Sequence, residues 1–390
     1  MGMKLLVPRF LRGSQSVTRP RAHRSILTER MRSDAGCGVA DTCDHDASVL
    51  PAPRSTHTRE GTDMSDHDFP WLVADIGGTN ARFGLVRSAG SAVSDVVSMS
   101  CASHASPEAA ALHYLDALGG SAGAALQPRR VALAVASAIS GDTVKLTNSD
   151  WVISRTVMAA ALGASHVVLV NDFEALALAL PGLAEHQVAW IGDARPAPGL
   201  PMAVVGPGTG LGVALCVPTP GGYTAVATEG GHVTVAPAND LETALLQRAR
   251  QKHDHVSAER LLSGIGLPLL YTSLCEVRGV KADSLGAADI TRLALEHQQP
   301  QCLETLDVFC AMLGSFAGNV ALTTGARGGV FIAGGIAGHL GDYFLKSRFR
   351  ERFEDKGRFR DYLSAIATGV ITAPHAALDG AAQALRVARS

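Results

Sequence analysis

Two stretches of this chain are built alike, and that repeat limits what it can fold into more than any other feature. Trp71–Ile76 is an apolar run of strand length that enters a turn of Gly77, Gly78, Thr79 and Asn80, and residues 82–86 resume as a second strand. Residues 202–205 do the same through GPGTGLG, residues 206–212, into a strand over 213–217. A third strand follows each pair, over 92–100 and 223–228, and helices follow that. A duplicated βββ-α-β unit predicts an α/β fold of two similar domains. Ligands of such sheets gather at strand ends, so the two turns are expected to meet across a cleft.

Residues 1–63 do not belong to this pattern. Up to Arg32 they carry eight basic residues against one acid, Glu29, and neither half has an apolar period able to bury a face. The expectation is a disordered extension with Met64 as the functional start; a transit peptide and an upstream extension of the reading frame are the alternatives. Beyond it the expected domains are 64–180 joined by 368–390, and 181–367. The pattern also predicts a helix over 257–262, a charged patch over 348–360 that is mostly a solvated helical face and loop, a strand over 365–371 and a closing helix over 375–387.

Composition narrows the function. A net charge of -2 gives no reason to expect nucleic acid, and no uninterrupted apolar run is long enough for a bilayer, so neither is expected as a partner. The seven cysteines are scattered without a CxxC, the usage of a reducing cytosol, which places the protein in the cytoplasm. No GxxxxGK[ST] occurs. GPGTGLG lacks GxGxxG spacing and runs into a strand, which disfavours a dinucleotide site.

Several polar residues sit where chemistry is possible. Both glycine turns point backbone N–H groups at one spot, which suits phosphate, and Asp75 beside the first suits a divalent cation there. The plainer reading is a hairpin whose Asp bonds its own turn. In VVLVNDFEA, Asn171 and Asp172 end a buried strand where a helix begins. Asp172 reads either as a helix cap or as a general base taking a proton from a hydroxyl, with Asn171 holding the substrate. Glu229 and His232 in TEGGHV suit a polyol. Glu259 reads most simply as an acid in the first turn of a helix. The small-residue turns FIAGGIAG and Ser263–Gly266 would let a flat ring approach the backbone, as packing turns also would.

In order, ADIGGTNARFG, TNSDW, NDFEA, GPGTGLG, EGGHV, HVSAERLLSG, GGVFIAGGIAG and FEDKGRF resemble the bacterial ATP-dependent glucokinases, of the hexokinase, actin and sugar-kinase superfamily. The resemblance runs from about Trp71 to the C-terminus. It implies two ribonuclease-H-like (actin-like ATPase) α/β domains and phosphorylation of glucose at its 6-hydroxyl by ATP with Mg2+. Residue by residue it makes Ala74, Asp75, Ile76, Gly77, Gly78 and Thr79 the first phosphate loop, with Asp75 reaching the magnesium through water. Gly208, Thr209 and Gly210 become the second phosphate loop, and Gly334 with Gly335 the adenosine wall. Asn171, Asp172, Glu229, His232 and Glu259 become the sugar set, with Asp172 the catalytic base. Asn148 and Trp151 match a stretch whose role the resemblance leaves open. A homodimer is expected. The related ROK kinases carry a cysteine-rich zinc motif after the EGGH-like loop; its absence makes His232 a sugar ligand. HAALDGAAQAL, by contrast, is poorer in glycine than its counterparts.

Overall fold

The computed structural model describes residues 68–119, 126–146 and 149–388. The expectations for residues 1–63 and for Asn148 lie outside the described residues. In chain order the first half holds β1 (Trp71–Ile76), β2 (Asn80–Val86), β3 (Ser94–Ser100), α1 (Pro107–Gly119), β4 (Arg130–Val135), the hairpin β5 (Thr143–Lys145) and β6 (Val152–Ser154), α2 (Arg155–Leu162), β7 (His166–Asn171) and α3 (Asp172–Ala179). The second holds β8 (Val188–Ile191), β9 (Met202–Pro207), β10 (Leu211–Thr219), β11 (Gly222–Thr228), α4 (Asp240–Arg250), α5 (Leu267–Arg278), α6 (Ala287–Leu295), α7 (Pro300–Thr324) and β12 (Gly329–Ile332). It closes with α8 (Gly335–Leu340), α9 (Asp342–Leu345), α10 (Phe349–Glu354), α11 (Arg360–Ser364), β13 (Thr368–Ile371) and α12 (Ala376–Val387).

The repeat seen in the sequence extends to whole sheets. One has the order β3-β2-β1-β4-β7 and the other β11-β10-β9-β12-β13-β8. Apart from the edge strand β8, they are the same arrangement: an antiparallel meander followed by two parallel strands. That is the ribonuclease-H-like order expected. β13 lies between β12 and β8 of the second sheet. The expected boundary at 368 is therefore too early, because this strand's hydrogen bonds belong to the second half and the chain crosses back only after it.

Side chains alternate along β1, and each face has its own cover. Leu72, Ala74 and Ile76 pack with Tyr114 of α1 and Met158 of α2. Trp71 and Val73 pack with Ala175 and Leu178 of α3 and with Leu378, Ala381 and Leu385 of α12. α3 also sends Ala177 to the far side, against Val204, Ala214 and Phe331 of the second sheet. A helix buried between two sheets must be apolar all round, and DFEALALA is so after its first turn.

α3 and α12 cross closely. A Cβ on Gly380 would lie 1.7 Å from the Ala175 carbonyl oxygen. Backbone cannot yield there as a side chain would, so Gly380→Val is expected to cost roughly 3 kcal/mol or more. A lowered urea midpoint with unchanged slope would show it.

Two further expectations change. Residues 257–262 form turns instead of a helix: Ala258 donates to the Val233 carbonyl and Glu259 to that of Gly231, both at 2.9 Å, and Arg260 and Leu261 close tight turns on the Ser257 and Ala258 carbonyls. The patch over 348–360 is not simply solvated. Phe349, Arg352 and Phe353 are buried against α7, where Gly314 and Gly318 let the α10 backbone approach. Arg352 pairs with buried Glu242 at 2.7 Å and donates to Ser315 Oγ. α7 is long and apolar enough to cross a membrane, but 78% of its most apolar window is buried in protein, as befits a core helix.

Candidate active site

Asn171 and Asp172 stand where β7 turns into α3, and the structure divides their roles. Asn171 is the cap: its Oδ1 accepts from the N–H groups of Phe173 (2.9 Å) and Glu174 (3.3 Å), and Glu174 Oε2 accepts from its backbone N–H. Its Nδ2 makes one long bond, 3.4 Å, to the Ser137 carbonyl. Asp172 therefore begins the helix without having to cap it. Its Oδ1 accepts from Phe173 N–H at 2.9 Å. Burial pushes its carboxyl up to about 6, the Phe173 N–H pulls it partly back, and the charge on Asp75 adds to the rise.

Phe173 ties this corner to the second glycine turn. Its ring lies on Gly206 and Gly212, where an added Cβ would come within 2.4 and 2.1 Å of it. Within the turn, Gly208 N–H donates to the Gly210 carbonyl at 2.9 Å, and Gly264 N–H donates to that of Gly208 at 2.8 Å. The Ser263–Gly266 turn thus supports the loop from outside. Gly334, at φ 86°, backs on to the same turn, its Cβ position 2.6 Å from the Pro207 carbonyl, and Gly335 opens α8.

Glu259 joins the turn to the polar trio. Its Oε2 accepts from Leu211 N–H at 2.9 Å and lies against Gly210, and its Oε1 is 3.9 Å from His232 Nδ1. His232 Nε2 is in turn 3.8 Å from Glu229 Oε2. These spacings exceed a hydrogen bond, so a hydroxyl can enter and bridge them. Gly231 permits the fold-back, since a Cβ there would meet the Leu211 carbonyl at 1.9 Å.

The first turn closes through Gly77 N–H to the Asn80 carbonyl, 3.0 Å. Among the described residues no hydrogen bond or ion pair joins it to 208–210, and Asp75 acts on Asp172 through its charge. Asp75 lies directly across the hairpin from Arg82, whose Nη1 donates to Oδ2 at 2.9 Å. Burial raises the Asp75 carboxyl and Arg82 opposes the rise. Arg82 was missed in the sequence; counting register outward from the turn would have found it. Phe173 left no signal beyond being apolar. Trp151 is a buried core residue whose Nε1 donates to the His104 carbonyl at 3.2 Å.

The chemistry of these donors bears on magnesium. Among the described residues no group of three or more His, Cys, Asp or Glu could cage a metal. Mg2+ usually keeps several waters and is held by one or two carboxylates together with substrate phosphates. Asp75, with Oδ2 on Arg82, has Oδ1 left for such a hydrated ion, so the residues fit one held mainly by nucleotide.

Known proteins with this arrangement are consistent in kind. A sequence model of the family described as glucokinase matches residues 72–388. The glucokinase of Chromobacterium violaceum is 44% identical over 314 residues, 80% of this chain and 88% of that one. That of Paramagnetospirillum magneticum is 46% identical over 312 residues, 80% and 96% of the two chains. Among solved structures, a glucokinase from an Antarctic psychrotroph superposes with a TM-score of 0.76 at 37% identity, covering 82% of this chain and 99% of that one. A ROK family glucokinase from Streptomyces griseus, solved in complex with glucose and AMPPNP, shares the fold at 17% identity and a TM-score of 0.51, covering 82% and 100%.

Proposed function

The chain belongs to the glucokinase family, enzymes that phosphorylate glucose with ATP, and from that premise we propose that it transfers the γ-phosphoryl of ATP to the 6-hydroxyl of glucose, with Asp172 as base. The observation that carries the proposal is the placing of Asp172. It is a carboxylate freed from capping by Asn171, raised to about 6 by burial, and fixed through Phe173 beside the Gly206–Gly212 turn. A base with that pKa is ionised at neutral pH yet accepts a proton readily.

Glu229, His232 and Glu259 hold the sugar hydroxyls, with Asn171 Nδ2 adding a donor. The turns at 74–79 and 208–210 hold the phosphates, and Gly334 with Gly335 gives adenosine a flat wall. Mg2+, when bound through water on Asp75, offsets the charge of the phosphates. Asp172 takes the 6-hydroxyl proton as that oxygen bonds to the γ-phosphorus and the bond to the bridging oxygen breaks. The products are glucose 6-phosphate and ADP, a supply for sugar breakdown in the cytoplasm. The five cysteines among the described residues are free thiols, in keeping with that compartment. The homodimer rests on the family resemblance, and sedimentation velocity reads it directly.

A coupled assay with ATP, Mg2+ and a panel of glucose, mannose and N-acetylglucosamine tests the activity, with glucose expected to give the highest kcat/KM. Because the base must be ionised, log kcat/KM should fall with unit slope below a pH of about 6. A profile flat down to pH 4.5 would remove Asp172 from the role.

A further inference from the structure

Behind the polar loop lies a cavity of about 260 Å³ that the reaction does not use. Its floor is the outer face of β10, with Val213 and Leu215, and its roof is one stripe of α7, with Met312, Phe316 and Val320. The side wall is the reverse of the loop itself: Thr228, Gly230 and the run from Val233 to Ala236. No charged side chain lines it.

The polar groups in the depth are already engaged. Thr228 Oγ1 donates to the Val213 carbonyl and accepts from Gly230 N–H, and Ser315 Oγ accepts from Arg352. Thr324 Oγ1 donates to the Val320 carbonyl. At the exposed mouth, the side chains of Asn319 and Thr323 have no hydrogen-bond partner among the described residues. An apolar interior with polar capacity only at the rim selects a neutral molecule with a ring-sized apolar body and one hydroxyl or amide head. A charged molecule would lose its hydration there without gaining a partner.

The wall also connects to the sugar set. Gly230 packs on Val213, with its Cβ position 2.9 Å from that side chain, and the Val233 carbonyl accepts from Ala258 N–H, next to Glu259. Resting on the reading of Glu229, His232 and Glu259 as sugar ligands, we propose that this cavity is an effector site for a small neutral amphipathic molecule, and that filling it tightens glucose binding. The occupant braces residues 228–236 from behind, so that glucose has less loop freedom to remove when it binds.

Titration calorimetry of the full chain with 2-phenylethanol, with and without glucose, tests this. We expect saturable binding at one site, at least threefold tighter with glucose, and an equal fall in the glucose dissociation constant at saturating alcohol, as linkage requires. Val320→Trp fills the space and should abolish alcohol binding. Asn319→Ala, at an exposed position, should weaken it severalfold and leave kcat unchanged. Absence of saturable binding, equal affinity with and without glucose, or full binding to both variants would overturn the proposal. Calorimetry reads the alcohol without turnover, so the site can fail while the chain phosphorylates glucose, and the kinase reading can fail while the alcohol binds.

Discussion

Replacing Asp172 by Asn is expected to lower kcat about a thousandfold, within the range seen when a general base is removed. Glucose affinity measured by calorimetry should stay within a few fold of wild type, since four other side chains hold the sugar. The same substitution should make the protein more stable at neutral pH. A carboxyl held near 6 when folded and 3.8 when unfolded binds more protons in the folded state, so its ionised form opposes folding at neutral pH. Stability contributed by the wild-type carboxyl is full below pH 3.8 and is lost as pH rises through 6. Asp172→Asn should therefore raise Tm at pH 7.5, by an amount that shrinks as pH falls toward 4. A variant that kept turnover within tenfold of wild type would show that orientation and charge compensation suffice, and that the carboxylate is not the base.

Asp75→Ala is the second substitution with a large expected effect. It removes the carboxylate that fits a hydrated cation at the first turn and leaves Arg82 without its cross-strand partner. Loss of one such electrostatic contribution to phosphoryl transfer costs on the order of a hundredfold in kcat. The KM for ATP should rise with it, and glucose binding should remain near wild type. Arg82→Gln separates the two causes, because it breaks the same ion pair and keeps the carboxylate. If the pair only braces the hairpin, both variants should lose activity equally; if Asp75 acts through magnesium, Asp75→Ala should be much the worse and should respond to raised Mg2+.

Most of the fold was legible because strand alternation and glycine turns are local signals, and the repeat let one half check the other. What was not legible depended on contacts distant in sequence. SAERLL has ordinary helix propensity, yet its backbone donors pair with Gly231 and Val233, and tertiary pairing overrides propensity. The charges over 348–360 concealed Phe349 and Phe353, whose burial depends on two glycines in another helix. Asn171 and Asp172 are both able to cap, so sequence left the choice open, and it turned on which carbonyl-type oxygen reaches the Glu174 N–H. For the polar trio the residues were evident, but their spacing near 4 Å was not.

The exchange of covers between the halves has a consequence for how the chain is made. The face of the first sheet that carries Trp71 and Val73 is covered by α12, synthesised some two hundred residues after β7. Its other cover, α3, needs the second sheet on its opposite side. At ribosomal rates of about 5–20 residues per second, that face lacks its α12 cover for tens of seconds. The first half cannot mature as an independent unit behind the ribosome, and both halves complete together once α12 has emerged. Removing α12 would thus injure the sheet that was translated well before it.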